Sequence, residues 1–134
     1  MSQQNVELVK RAFEHFQAKG DFMEEITRPD FVWDMSMFHG WPEQQVYEGL
    51  DEARRFMREW TEPFDDWDLE LEAIHDVDDE RVLAIVRQHG RSRSSGLLVD
   101  MVFGQLFTIR VGQQTRMEMY SDPAEALRVV GLEE

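Results

Sequence analysis

The stretch Leu97-Leu98-Val99-Asp100-Met101-Val102-Phe103-Gly104-Gln105-Leu106-Phe107-Thr108-Ile109-Arg110 decides the fold. Its residues alternate with period two, which puts Val99, Met101, Phe103, Phe107 and Ile109 on one face. Leu98, Val102 and Leu106 make much of the opposite face apolar as well, so a strand here needs cover on both sides. Gly104 suits a bend in such a strand better than a phosphate cradle, because no glycine-rich loop precedes a helix. The same period on either side predicts strands at 67–75, 81–91 and 114–121, joined by turns at 77–80, 92–96 and 111–113. Four strands joined by short turns make an antiparallel meander.

Upstream the period changes to that of a helix. Val9, Ala12, Phe13 and Phe16 share one face of a helix over 5–19, with Asn5 as its cap and Gly20 as its stop. Asp21-Phe22-Met23-Glu24 has the form of a capping box and predicts a short second helix that Pro29 ends. Phe31 to Ser36 reads as a first strand, with Phe31, Trp33 and Met35 on one side and Val32, Asp34 and Ser36 on the other. A loop with an extended piece at Val46-Tyr47 leads into a third helix from Asp51. That helix carries Ala53, Phe56, Met57 and Trp60 on one face and stops before Pro63. Asp122-Pro123-Ala124-Glu125 opens a last short helix that Gly131 ends. One α+β domain over 1–134 is expected, a cone in which a strongly curved, mostly antiparallel sheet wraps the N-terminal helices. Its concave face can enclose an apolar pocket. The apolar outer positions Val102 and Leu106 suggest a second subunit, hence a homodimer through the outer sheet face.

The 134 residues carry 28 Asp and Glu against 14 Lys and Arg, a net charge of -14 that disfavours nucleic acid and anionic membranes as partners. The acids are concentrated between Glu62 and Glu80, where Trp67, Leu69, Leu71 and Ala73 still alternate as one half-buried strand face. Without Cys there is neither a thiolate nucleophile nor a thiolate metal site, and the His residues lack ligand spacing, so no metal or dissociable cofactor is expected. A polar N-terminus without an apolar signal core makes a cytoplasmic location the plain expectation.

Phe31-Val32-Trp33-Asp34, Tyr47-x-Gly49 leading into Phe56-x-x-x-Trp60, and Tyr120-Ser121-Asp122 resemble the SnoaL-like branch of the nuclear transport factor 2-like superfamily. Gly20-Asp21 and Ala126-Leu127-x-x-x-Gly131-Leu132 extend the resemblance over nearly the whole chain. It implies the cystatin-like cone also seen in ketosteroid isomerase, and a range of activities from isomerases, cyclases and dehydratases to proteins that only bind. Aligned with ketosteroid isomerase, Phe13 stands at the position of its Tyr donor and Gln105 at that of its protonated Asp. Its base position falls on Asp34 or Met35 according to one residue of register. Met119 stands where the superfamily's epoxide hydrolases have an Asp. Steroid isomerisation and epoxide opening by those mechanisms are disfavoured.

Asp34 among Trp33, Met35 and Phe38 would be stripped of water and so become a stronger base, or else face outward as a polar strand residue. Gln105, alone in an apolar face, can orient a ligand oxygen or make a structural hydrogen bond. Arg87 and His89 share a parity and offer a cation and a proton shuttle, or lie together on the outer face. Phe13, Trp33, Met35, Phe56, Trp60, Met101, Phe103, Phe107, Met117 and Met119 are expected to wall the pocket around a small apolar molecule, or simply to pack. The activities in view are a cofactor-independent isomerase, cyclase or lyase, and a noncatalytic ligand-binding or protein-interaction dimer.

Overall fold

A computed structural model describes residues 2–42 and 44–132. Helix α1 (Ser2–Lys19) precedes strand β1 (Thr27–Asp34), β2 (Val46–Glu48) and helix α2 (Leu50–Thr61). The strands β3 (Phe64–Asp76), β4 (Arg81–Ser92), β5 (Leu98–Arg110) and β6 (Gln113–Tyr120) follow as consecutive antiparallel partners, and α3 (Pro123–Val129) is the last element among the described residues. One curved six-stranded sheet results, in the order β2-β1-β6-β5-β4-β3, with β1 antiparallel to β2 and parallel to β6. The architecture is α+β, as expected, and the four-strand meander keeps its anticipated order and turns. No helix among the described residues is long and apolar enough to cross a membrane.

The N-terminal third departs from expectation in three places. α1 starts at Ser2, so Asn5 lies inside the helix rather than capping it, and its Nδ2 donates to the Asp79 carbonyl oxygen at 2.8 Å. The second helix shrinks to a single 3-10 turn at Glu24–Ile26, because the Asp21 carboxylate is bound by the Phe22 amide and by Arg54 instead of capping a helix. The chain then extends from Thr27, through Pro29. Between the pairs Thr27↔Gln114 and Val32↔Arg116, β1 advances five residues and β6 two, so Pro29 falls in an irregular stretch that requires no ladder donor from it.

Two clusters of buried side chains occupy opposite faces of the sheet. The larger fills the face carrying α1 and α2 and includes Val9, Phe13, Phe31, Trp33, Phe56, Phe103, Phe107 and Ile109. The smaller joins Leu83, Leu106, Tyr120 and Ala126 on the outer face. Leu106 is therefore covered by the chain's own α3 and offers no bare surface to a second subunit. Gly104 explains how α3 comes so close: a Cβ there would stand 2.9 Å from the Ala126 Cβ. Asp122 caps α3 through the Ala124 amide at 2.9 Å, with Pro123 at its first position.

Ala73 also changes sides. Leu71 pairs with Val86 and Ala73 with Ile85, so Glu72 is an extra residue that reverses the alternation. Leu71 and Ile74 consequently pack on the large core, while Ala73 stands opposite Ile85 on the outer face. β3 lies at one end of the sheet order, and its carboxylates and two bulges are features that discourage pairing with another chain.

Candidate functional site

The sheet's inner face and the two N-terminal helices enclose an apolar cavity. Ala12, Phe13 and Phe16 of α1, Met57 and Trp60 of α2, and Phe22 and Met23 between α1 and β1 form one side. Phe31, Trp33, Trp67, Leu69, Phe103, Gln105, Phe107, Gln114 and Met119 of the strands form the other. Only about 60 Å³ of this space can hold the centre of a water molecule, room for roughly four waters at the limiting size. Trp33, Phe56, Trp41 and Trp60 brace α2 against β1 and the loop before β2, with Phe56 and Trp60 stacked at 5.5 Å and Trp33 5.0 Å from Phe56. Phe13 meets Phe107 edge to face at 6.1 Å, fixing α1 to β5.

Polar atoms in this wall are few and uncharged. Gln105 is buried, and its Nε2 has the Met119 sulfur as a weak acceptor at 3.9 Å. Gln114 donates from Nε2 to Thr27 Oγ1 at 3.1 Å, and Thr27 in turn donates to the Met23 carbonyl at 2.8 Å, so Gln114 is committed to the fold. Trp60 Nε1 donates to Gln88 Oε1 at 2.5 Å. The indole N–H groups of Trp33 and Trp67 have no acceptor among the described residues. Among the described residues no carboxylate, imidazole, ammonium or guanidinium lines the cavity.

Asp34 lies outside it. Phe31, Trp33 and Met35 take the inner parity, and Asp34 points to the opposite face beside Glu118, its partner in register. There its Oδ1 accepts from the Ser36 amide at 2.9 Å and from Ser36 Oγ at 2.6 Å, while Oδ2 accepts from Arg116. The Asp34 side chain is 9% exposed and that of Arg116 38%, and Arg116 also reaches Glu118 at 3.2 Å. Asp34 is thus an outer-face ion-pair and turn residue, and the one-residue ambiguity resolves with Met35 facing the core. Nearby, burial pushes the Tyr120 hydroxyl above its ordinary range, with Glu118, Glu125 and Asp34 adding to the effect.

His89 is corrected in the same way. β4 turns Arg87 and His89 to the outer face, where Arg87 binds Glu72 at 3.1 Å and Asp100 at 2.9 Å, and His89 Nε2 meets Glu70 at 2.5 Å. The hydrogen bond to Glu70 and the charge of Asp100 raise the His89 pKa above 6.5 against the opposing effects of desolvation and Arg87. The folded state therefore favours the imidazolium. Its stabilisation is complete below pH 6.5 and is lost as pH rises through the raised folded value. An NMR titration of the His89 ring should show a midpoint above 6.5, and His89→Gln should remove that part of the pH dependence of stability. A midpoint at or below 6.5 would contradict the pairing of His89 with Glu70 and Asp100.

Of the residues expected to wall the pocket, Phe13, Trp33, Trp60, Phe103, Phe107 and Met119 do so, together with Gln105. Met35, Phe56, Met101 and Met117 do not line it and pack in the core around it. The backbone of Met35 is held beyond the end of β1 by a 2.7 Å bond to the Gln45 carbonyl, and the Phe56 ring is surrounded by those of Trp33, Trp41, Tyr47 and Trp60. Ala12, Phe16, Phe22, Met23, Phe31, Met57, Trp67, Leu69 and Gln114, outside that expectation, complete the wall. Phe16 and Met57 were legible, since both lie on the apolar faces of their helices.

A model of the SnoaL-like domain matches residues 9–117. No curated protein matches the chain. Among solved structures, one named as a SnoaL-like polyketide cyclase from Jannaschia sp. CCS1 is 24% identical, with a TM-score of 0.71 over 98% of this chain and 94% of that one. TerC, co-crystallised with polyporic acid, is 17% identical, with a TM-score of 0.72 over 96% and 98% of the two chains. A protein of ketosteroid isomerase-like fold from Catenulispora acidiphila DSM 44928, in complex with trimethylamine, is 10% identical, with a TM-score of 0.70 over 94% and 93%. These likenesses concern the fold, whereas the domain match spans most of the sequence: the chain belongs to the SnoaL-like family.

Proposed function

We propose that the protein binds a small, largely apolar molecule carrying a hydrogen-bond acceptor, inside the cone and without acid-base chemistry by Asp34. The observation that carries this reading is the cavity wall itself, built of aromatic rings, methionines and aliphatic side chains with two amides and no ionisable group. Proton transfer needs a base within hydrogen-bond reach of the reacting carbon acid, and the first sequence candidate for that base, Asp34, is occupied on the other face by Arg116 and Ser36. Gln105 keeps an amide whose acceptor partner is only a thioether, so a ligand carbonyl or ether oxygen is a better partner for its N–H. The co-crystallisation of TerC with polyporic acid shows a protein of this fold with a small organic molecule, which is consistent with the reading.

Titration with 2-acetylnaphthalene, followed by quenching of tryptophan emission, tests it. Saturable binding is expected, because Trp33, Trp60 and Trp67 belong to the wall. Gln105→Leu should weaken binding of this ketone about 5- to 10-fold, the worth of one net hydrogen bond, and leave 2-ethylnaphthalene unaffected or tighter. Absence of saturable binding to either probe would overturn the proposal.

A further inference from the structure

Outside the apolar cavity lies a second, open chamber of about 400 Å³, lined by Phe16, Gly20, Asp21, Phe22, Arg54, Met57, Arg58, Thr61 and Trp67. The two spaces share Phe16, Phe22, Met57 and Trp67, so these four side chains stand between them. Three of the four are in edge contact, with the Phe16 ring 5.9 Å from that of Phe22 and 6.1 Å from that of Trp67. Because the inner space holds only a few waters, a bicyclic ring system cannot lie wholly within it and must leave one end in the chamber. What that end meets is set by charge.

The chamber's cations differ in occupancy. Arg54 donates to both oxygens of Asp21, at 2.9 and 3.1 Å, and to Glu24. This binding holds the Asp21 carboxyl below its usual range and leaves neither group free for a ligand. Arg58, one turn further along α2, makes no side-chain hydrogen bond or ion pair with any described residue. Asp21 and Glu24 occupy Arg54 fully, so Arg58 is the one guanidinium of the chamber lining without an ion-pair partner among the described residues. A guanidinium beside an apolar opening suits a carboxylate or other planar oxyanion, which it can grip with two parallel hydrogen bonds.

We infer that the preferred ligand is an aromatic acid whose ring body enters between Phe16, Phe22, Met57 and Trp67 and whose anionic head stays in the outer chamber on Arg58. This rests on the binding reading above and adds the chemical class of the ligand and its orientation. The strongly acidic surface then works as a filter, since anions are repelled generally and retained only where a cation and an apolar slot coincide.

The test compares 2-naphthoate with its neutral methyl ester by tryptophan quenching, at low ionic strength and neutral pH, in the wild type, Arg58→Gln and Arg58→Lys. The wild type should bind the anion about three- to fivefold more tightly than the ester, a partly exposed ion pair being worth no more, and added salt should narrow the gap. Arg58→Gln should abolish the preference while leaving the ester's affinity unchanged, and Arg58→Lys should keep part of it. Ester binding with no preference for the anion, or a preference that survives Arg58→Gln, overturns this inference alone. Binding of neither compound overturns it together with the reading on which it rests.

Discussion

Phe56→Ala should cost about 3–5 kcal/mol of folding stability, the range for emptying a buried phenylalanine site. Phe56 is fully buried, and its ring lies 5.0 to 5.5 Å from the rings of Trp33, Trp41, Tyr47 and Trp60. Those four rings belong to β1, the loop before β2, β2 itself and α2, so no single neighbour can collapse into the space without leaving another contact. For a chain of this length the loss corresponds to a fall in Tm of roughly 11–18 °C. Urea denaturation of the wild type and the variant would measure it directly. A loss under about 1 kcal/mol would mean that the ring cluster is not packed as described, and the cavity wall that leans on it would need redrawing.

Asp34→Ala should destabilise the protein by about 1–3 kcal/mol and leave the affinity for 2-acetylnaphthalene within about twofold. The carboxylate supports the turn at Ser36 with two hydrogen bonds and pairs with Arg116, and all three interactions vanish in alanine. Arg116 retains Glu118 and some access to water, which keeps the cost below that of stranding a fully buried charge. Asp34→Asn keeps an acceptor for Ser36 but not the charge, so it should lose less. Denaturation curves and ligand titrations on the same samples separate the two roles. If Asp34→Asn abolished binding with stability intact, the residue would belong to the ligand site after all.

The strands from 64 to 120 were legible because hairpins write both a period and a turn into contiguous sequence. Leu69, Phe103 and Phe107 needed no partner from afar to declare a face. Glu72 escaped this logic, since a bulge is one added residue with no composition of its own, and it carried Ala73 to the opposite side. The pattern Phe31-Val32-Trp33-Asp34-Met35 showed two faces, but only its pairing with β6 and β2 revealed which face the helices cover. Leu106 was correctly read as needing cover, and the cover came from α3, whose approach depends on the missing side chain of Gly104. Phe13, Trp33, Trp60, Phe103 and Phe107 of the cavity wall followed from helix and strand periodicity. Gln114 did not, because a polar residue at a strand's start lacks a periodic context.

The parallel pairing of β1 with β6 sets an order of assembly. Gln114 reaches Thr27 across 87 residues, whereas β3, β4, β5 and β6 join through short reversals. A nascent chain can zip these four strands together locally, while β1 must wait for the last of them to be synthesised. Until then β1 is flanked only by β2, which spans three residues, and its inward Phe31 and Trp33 border an unpaired edge. A chain ending before Gln113 would hold that edge open permanently and offer the aromatic row as a template for another molecule.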